Sequence, residues 1–441
     1  MLRSNPVACI EYVAHVRTIS QKPARMKGMR RRNLDRAIDQ IDAGDNLEYT
    51  EGSLWGIRFT VNNLGLDSQT YILLRSFPKN ELGSATNSKR FSLNRFSLQI
   101  ALLISVLLLT SCQNGPAVDP TTLFTDYQGE STPGAAVLVI KKGKVAYEGL
   151  FGMADLGAKT PVESSTNFRL ASVTKQFTAM SIMMLIERNQ LTLDTSLSDV
   201  FPAFAEFAEF ADHITIQNLL QHTSGLIDYE SLIPDTATIQ VHDKDVLALL
   251  QATDSTVFPP GSAYAYSNSG YSVLAMIVEE LTSTSFPQFL EQNIFEPLGM
   301  NQTVAFVDGI STIENRAFGY SVESNGFAFA DQSLTSAVLG DGGIYSSLDD
   351  LMKWDQALYT DSLVSFEMLQ QAFTPGLESY GFGWRIADYN GHLRYSHTGS
   401  TSGFRNVIQR YPDDQLTIII LTNRNDPVVE PLADELAELF F

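Results

Sequence analysis

The sequence predicts an α+β protein: one antiparallel sheet flanked by helices, with a mostly helical insertion. Three observations carry that expectation. Strand hairpins stand near both ends of the region after residue 133, segments of helical period fill the stretch between them, and strands do not alternate with helices as a parallel sheet requires. The 441 residues are 44% hydrophobic and 18% charged, an ordinary globular composition with enough apolar surface for a sizeable core.

Taken in order, residues 1–87 show no clear core pattern and include the basic cluster Arg30-Arg31-Arg32. Lys89, Arg90 and Arg95 then precede an uncharged run at 98–110, LQIALLISVLLLT, which ends at Ser111-Cys112. Thirteen residues would span only ~20 Å as a helix, too short for a membrane span but suited to the core of a signal peptide over 88–111. Small residues before a cysteine resemble the bacterial lipoprotein box, which implies cleavage before Cys112 and lipidation of its sulfur. Acyl chains contribute roughly 0.8 kcal/mol per buried methylene to such anchoring. A secretory signal normally opens a chain, so residues 1–87 are expected to be an over-long start assignment, with initiation near 82–88. No Met lies between Met29 and Met153, so that start would use another codon, and the mass of the intact precursor decides it. Residues 112–132, polar and with Pro116 and Pro120, read as a tether, and 133–441 as the folded domain.

Within that domain, 134–140 and 145–151 flank Lys141-Lys142-Gly143-Lys144 as a hairpin. A second hairpin joins 406–410 to 416–422, and Ile418-Ile419-Ile420-Leu421 reads as a buried central strand. Helices are expected at 173–188, 216–221, 246–251, 271–282 and 348–357, and an acidic-faced one at 431–441. Met180, Met183 and Met184 fall inside the first and read as core.

The charge excludes one large class of function. Thirty basic against fifty acidic residues give a net of −20, with the basic excess confined to residues 1–111, so there is no footprint for nucleic acid. Two cysteines exclude a disulfide scaffold. Six histidines without metal-ligand spacing imply no metal, and Gly340–Gly343 lacks the Lys-Ser/Thr of a phosphate loop, so no cofactor is expected.

Three short motifs carry chemistry. Ser172-Val173-Thr174-Lys175 opens the first helix, and a spacing of three puts serine and lysine on one face. A serine hydroxyl needs a neighbouring base, and a lysine can be that base when burial and nearby positive charge favour its neutral form. The pattern alone is weak, since Ser76-Phe77-Pro78-Lys79 also matches it, though with a proline inside. Tyr266-Ser267-Asn268 lies on a Gly/Ser-rich loop before a helix. Tyr266 could move a proton and Asn268 could hold both Lys175 and a substrate carbonyl; the plainer reading makes Asn268 or Ser269 a helix cap. His397-Thr398-Gly399-Ser400 reads as a Gly-bracketed edge strand whose N–H groups, with that of Ser172, could form an oxyanion hole, and His397 could contact a leaving group or carboxylate. The plainer reading is a surface hairpin histidine. His222, in the Gln-His-Thr-Ser-Gly-Leu turn, reads as a satisfied structural histidine.

In this order the three motifs resemble the serine β-lactamase and penicillin-binding protein superfamily, in particular the class C β-lactamase-related branch with its D,D-peptidases, D-aminopeptidases and esterases. The resemblance runs from about Tyr127 to the C-terminus and includes Leu219-Leu220-Gln221-His222-Thr223-Ser224-Gly225-Leu226, Pro297-Leu298-Gly299-Met300, Gly340-Asp341-Gly342-Gly343, Tyr380-Gly381-Phe382-Gly383-Trp384 and Leu421-Thr422-Asn423. It implies a β-lactamase/transpeptidase-like fold and an acyl-enzyme on Ser172, with Lys175 as general base, Tyr266 relaying protons, Asn268 orienting the substrate amide, and the N–H groups of Ser172 and Ser400 as oxyanion hole. The superfamily usually has Lys-Thr-Gly where this chain has His397-Thr398-Gly399, which weakens the fixed charge for a carboxylate. The expected protein is thus an envelope-tethered serine hydrolase acting on a small-molecule or peptide substrate: a D-amino-acid peptide, a β-lactam or a small ester. Within enzymes the rival is a carboxylesterase; outside them, a non-catalytic sensor of wall fragments. Oligomeric state is not readable.

Overall fold

The computed structural model describes residues 118–202 and 209–441, together with the backbone of two strands, Trp55–Thr60 and Gln69–Leu74, which pair antiparallel. The chain divides into a unit of residues 1–111 and a unit of residues 112–441. The expected signal peptide at 88–111 and its Cys112 lie outside the described residues. Among the described residues no helix is long and apolar enough to cross a membrane.

In the larger unit the hairpin Lys142-Gly143 takes φ of +52° and +70°, the left-handed pair that a two-residue turn between twisted strands requires. It joins β1 (Ala135–Lys141) to β2 (Lys144–Phe151). The other sheet strands come from the end of the chain: β3 (Arg385–Tyr389), β4 (His392–Thr401), β5 (Phe404–Tyr411) and β6 (Leu416–Thr422). Their order across the sheet is β3-β4-β5-β6-β1-β2, antiparallel throughout. The first strand of this unit's sheet and the last therefore pair side by side, with Ile419 opposite Leu138. The sequence missed β3, although Asn390-Gly391 between it and β4 is a strong hairpin signal; both residues have positive φ.

Both faces of the sheet are covered, which is why β1 and β6 read as unbroken apolar runs. Ala136, Leu138, Ile140, Ile419 and Leu421 face the main core, with α1 (Lys175–Glu187), α2 (Asn268–Thr282) and α3 (Leu348–Ala357). α1 is buried on all sides as far as Leu185, its three methionines included. Ala135, Val137, Val139, Ile418 and Ile420 face a second core, closed by α4 (Glu430–Phe440) and the kinked 3-10 segment Pro120–Tyr127.

That segment corrects the expected tether. From Pro120 the chain is docked: Phe124 and Tyr127 are buried, Phe124 stacks on Phe151 at 5.2 Å, and the Arg424 guanidinium lies 3.7 Å from the Tyr127 ring centroid. Polar Thr and Asp side chains between the aromatics hid two core residues. Phe124→Ala is expected to destabilise the unit by about 3–5 kcal/mol in a denaturant titration, whereas a solvated tether residue would give almost nothing.

Candidate active site

The turn Leu170-Ala171 delivers Ser172 to the front of α1. Ala171 takes φ +51°, a left-handed conformation costly for a residue with a Cβ and common where a reactive side chain is aimed. A 3-10 turn, Ala171–Thr174, then runs directly into α1, whose first residue is Lys175. Lys175 Nζ lies 3.2 Å from Ser172 Oγ. Although fully buried, the amine is not without partners: it also donates to Asn268 Oδ1 and to the backbone oxygen of Asp341, both at 2.9 Å. Those two oxygens can only accept. Were the amine neutral, these oxygens would take both of its N–H bonds and leave its lone pair for the Ser172 hydroxyl, an arrangement able to draw a proton from the serine.

Asn268 is the first residue of α2, and the cap is Ser267, whose Oγ accepts from the Gly270 N–H; neither Asn268 nor Ser269 caps the helix. The Asn268 side chain is thereby free for Lys175 on one side and approaches Glu230 Oε1 at 3.4 Å on the other. Tyr266 comes to the same place ring first: Lys175 Nζ is 4.9 Å from its centroid. His222 supports that ring from behind, 4.3 Å away, and its Nδ1 accepts from the Ser267 N–H. Burial, reinforced by the Lys175 charge, holds His222 well below the usual histidine range, so it is neutral. The expectation of a satisfied histidine is met at one nitrogen only. Among the described residues Nε2 has no hydrogen-bond partner, and the ring that carries it packs among those of Tyr264, Tyr266, Tyr271 and Tyr380.

The third wall is β4. It is not an edge strand along its whole length, because β3 pairs with it as far as Ser396. Beyond that point β3 has ended, and among the described residues no strand pairs with His397–Thr401 on that side. Gly399 is there for contact: a Cβ on it would stand 2.1 Å from the Leu170 oxygen, in the turn that carries Ser172. Thr398 and Ser400 flank it, Ser400 lining the cleft.

His397 departs from expectation. It is not a surface residue: the side chain is buried, Nδ1 donates to the Thr398 oxygen at 2.7 Å and Nε2 accepts from the Tyr380 hydroxyl at 2.9 Å. Burial, with Lys175 nearby, depresses its pKa to about 3, so the ring is neutral and has no nitrogen left to offer. Positive charge at this wall comes instead from Arg385 of β3, exposed and 5.8 Å from the Tyr266 ring centroid.

Ser172, Asn268, Ser400, Tyr229, Glu230 and Asp341 line a cleft of about 50 Å³. A larger cavity of about 730 Å³, lined by Glu279, Gln288 and Phe295 among others, includes none of the nucleophile's neighbours. Asp341 accepts from the Tyr229 hydroxyl at 3.0 Å, and burial raises its carboxyl to about 7. Glu230 is also raised, first by desolvation and then by the charge of Asp228. Sequence reasoning missed Arg385, Glu230 and Asp341. Arg385 was within reach through the Asn390-Gly391 signal. Asp341 meets Lys175 through a backbone oxygen, which no side-chain pattern reveals, and Glu230 sits on a polar loop among other acids.

The Beta-lactamase family profile matches residues 121–440. Penicillin-binding protein 4* of Bacillus subtilis strain 168 is 32% identical over 69% of this chain and 71% of its own length. D-aminopeptidase of Brucella anthropi is 29% identical over 68% of this chain, which spans only 58% of that protein. The crystal structure of a penicillin-binding protein from Bacillus halodurans superposes with a TM-score of 0.63 at 28% identity, covering 73% of this chain and 98% of that one.

Proposed function

The chain belongs to the beta-lactamase family and is a serine hydrolase of the β-lactamase and penicillin-binding protein kind, and from that premise we propose that it works through an acyl-enzyme on Ser172 with Lys175 as the base. The observation that carries the reading is the position of Lys175 Nζ, 2.9 Å from both Asn268 Oδ1 and the Asp341 oxygen and 3.2 Å from Ser172 Oγ. The serine proton passes to Nζ as Oγ bonds the substrate carbonyl carbon. The N–H groups of Ser172 and of Ser400 on the free edge of β4 take the oxyanion, where one donor is worth ~2.7–4 kcal/mol. As the tetrahedral adduct collapses, the proton reaches the leaving amine or alcohol through Tyr266, beside the amine, and water then releases the acyl group.

The proposed substrates are amides or esters, with D-amino-acid peptides ahead of β-lactams. Neutral, buried His397 supplies no charge for the carboxylate of a β-lactam, and Arg385 offers that charge at the leaving-group side. Thr398 and Gly399 are assigned to substrate binding along the edge. A carboxylesterase uses the same parts without the Arg385 contact. A non-catalytic sensor is disfavoured by the intact base geometry. Export, a lipid anchor on Cys112 and an envelope location complete the proposal; with the unit docked from Pro120, the spacer to the membrane is short.

Exposure to a fluorophosphonate followed by peptide mass spectrometry tests the nucleophile. A single adduct on the peptide carrying Ser172, absent from Ser172→Ala, is the expected result. Labelling that persists in the variant rejects the assignment.

A further inference from the structure

We propose that the larger cavity, about 730 Å³ and separate from the cleft that holds Ser172, is a second binding site, for an amphiphilic cation: an amine carrying an aliphatic or aromatic body. Its volume falls within the range of small-molecule sites, roughly 300–1,000 Å³. The wall is built from the start of the helix Asp243–Gln251, the later half of α2, and residues from the segments 285–295, 303–312 and 337–339.

Two features of that wall select the occupant. Much of it is apolar: Met276, Phe295, Val307 and Ile310 line it, and Ile310, left 82% exposed, would be covered by an apolar occupant. Its charge is negative, with Asp243, Glu279 and Glu291 set against one exposed lysine, Lys244. Among the described residues none of the three carboxylates stands within ion-pairing distance of a basic side chain. Asp243 gains most from a cation. Its side chain is buried, and its two oxygens accept only the N–H groups of Leu339 at 2.8 Å and Gly340 at 3.1 Å. Burial, with the Glu279 charge adding to it, raises the carboxyl to about 6. A neutral amphiphile covers the same apolar wall without answering that charge, and an anion is repelled. A charge-assisted hydrogen bond corresponds to about a 10- to 100-fold preference for the cation.

The same carboxylate is tied to the amine beside Ser172. The residue after Gly340 is Asp341, whose backbone oxygen accepts from Lys175 Nζ at 2.9 Å, and the Gly340 oxygen accepts from Thr178 of α1 at 2.6 Å. A cation in the cavity keeps Asp243 ionised, and an ionised carboxylate holds N–H groups more firmly than a neutral one. Occupancy thus steadies the oxygen that meets Lys175 and raises the reactivity of Ser172.

Titration calorimetry of the full chain with n-octylamine, against 1-octanol and octanoate, tests the site. One equivalent of n-octylamine is expected, bound about 10- to 100-fold more tightly than 1-octanol, with octanoate weaker still. Ile310→Glu and Ile310→Lys locate it. The position is exposed, so both variants keep the fold; affinity for n-octylamine should rise about two- to fivefold in the first and fall by about as much in the second. Asp243→Asn should bring the amine and the alcohol to within about threefold of each other. With n-octylamine bound, fluorophosphonate should label Ser172 about fivefold faster in the unmutated protein and no faster in Asp243→Asn. Equal affinity for amine and alcohol overturns the site. So do several weak equivalents that ignore both Ile310 variants, the mark of general attraction to an acidic chain. Amine bound without faster labelling overturns the link to Ser172. If Ser172 takes no adduct under any condition, the acyl-enzyme reading fails, and the titration by itself still decides the site.

Discussion

Lys175→Arg is expected to be as inactive as Lys175→Ala, with kcat/KM for a short-chain ester reduced on the order of 10²–10⁴-fold in both. The comparison separates two roles that the geometry would otherwise confound. If residue 175 serves as a fixed positive charge near the oxyanion, arginine keeps that charge and should keep much of the rate. If it serves as a base, arginine cannot release its proton at any useful pH and the rate goes with it. The buried amine has no spare capacity: its neighbours are two acceptor oxygens, the Ser172 hydroxyl and the faces of Tyr266 and Tyr271. Lys175→Ala strands those two acceptors, at ~1–3 kcal/mol for each that water does not reach, so its denaturation midpoint should be recorded beside its rate. Activity above about a tenth of the unmutated level in Lys175→Arg would reject the base assignment.

Much of the site was legible in the sequence because its parts are local. Ser172 and Lys175 announce themselves by spacing, and the strands β1, β5 and β6 by apolar runs between turn residues. What was not legible depends on contacts between distant segments. His397 reads as an exposed hairpin residue until Tyr380, seventeen positions earlier, takes its Nε2 and buries it. Pro120–Tyr127 reads as tether because only three of its residues, Leu123, Phe124 and Tyr127, pack inward, a count too small for periodicity to show. Gly340–Gly343 was noticed for its glycines, but what it offers Lys175 is one carbonyl oxygen, fixed by how the segment packs between α1 and α2: a Cβ at Gly340 would stand 2.4 Å from the Tyr271 oxygen. The capping of α2 by Ser267 rather than Asn268 is the most consequential of these differences, since it frees the amide that joins Lys175 to Glu230.

Gly399→Ala should lower kcat for the same ester by about 10²-fold, with a stability loss of about 1–3 kcal/mol. The new methyl carbon would stand 2.1 Å from the Leu170 oxygen and 3.4 Å from the Ala171 Cβ, contacts that neither backbone can relieve by turning a side chain. Either β4 withdraws or the Leu170-Ala171 turn does. The turn is the softer partner, since Ala171 already holds a left-handed φ of +51°. A shift of about an ångström there moves Ser172 Oγ away from Lys175 and separates the two N–H groups assigned to the oxyanion, and displacement on that scale is costly for a near-attack arrangement. Gly391→Ala, in the turn at the other end of β4, is the control. Its φ of +91° makes alanine strained, but nothing lies within 4 Å of the added carbon. It should lose stability while its kcat stays near the unmutated value. If the two variants lose rate in equal measure, the effect is general weakening of the sheet; if only Gly399→Ala loses it, the close approach of β4 to the nucleophile turn is what holds the reacting groups in register.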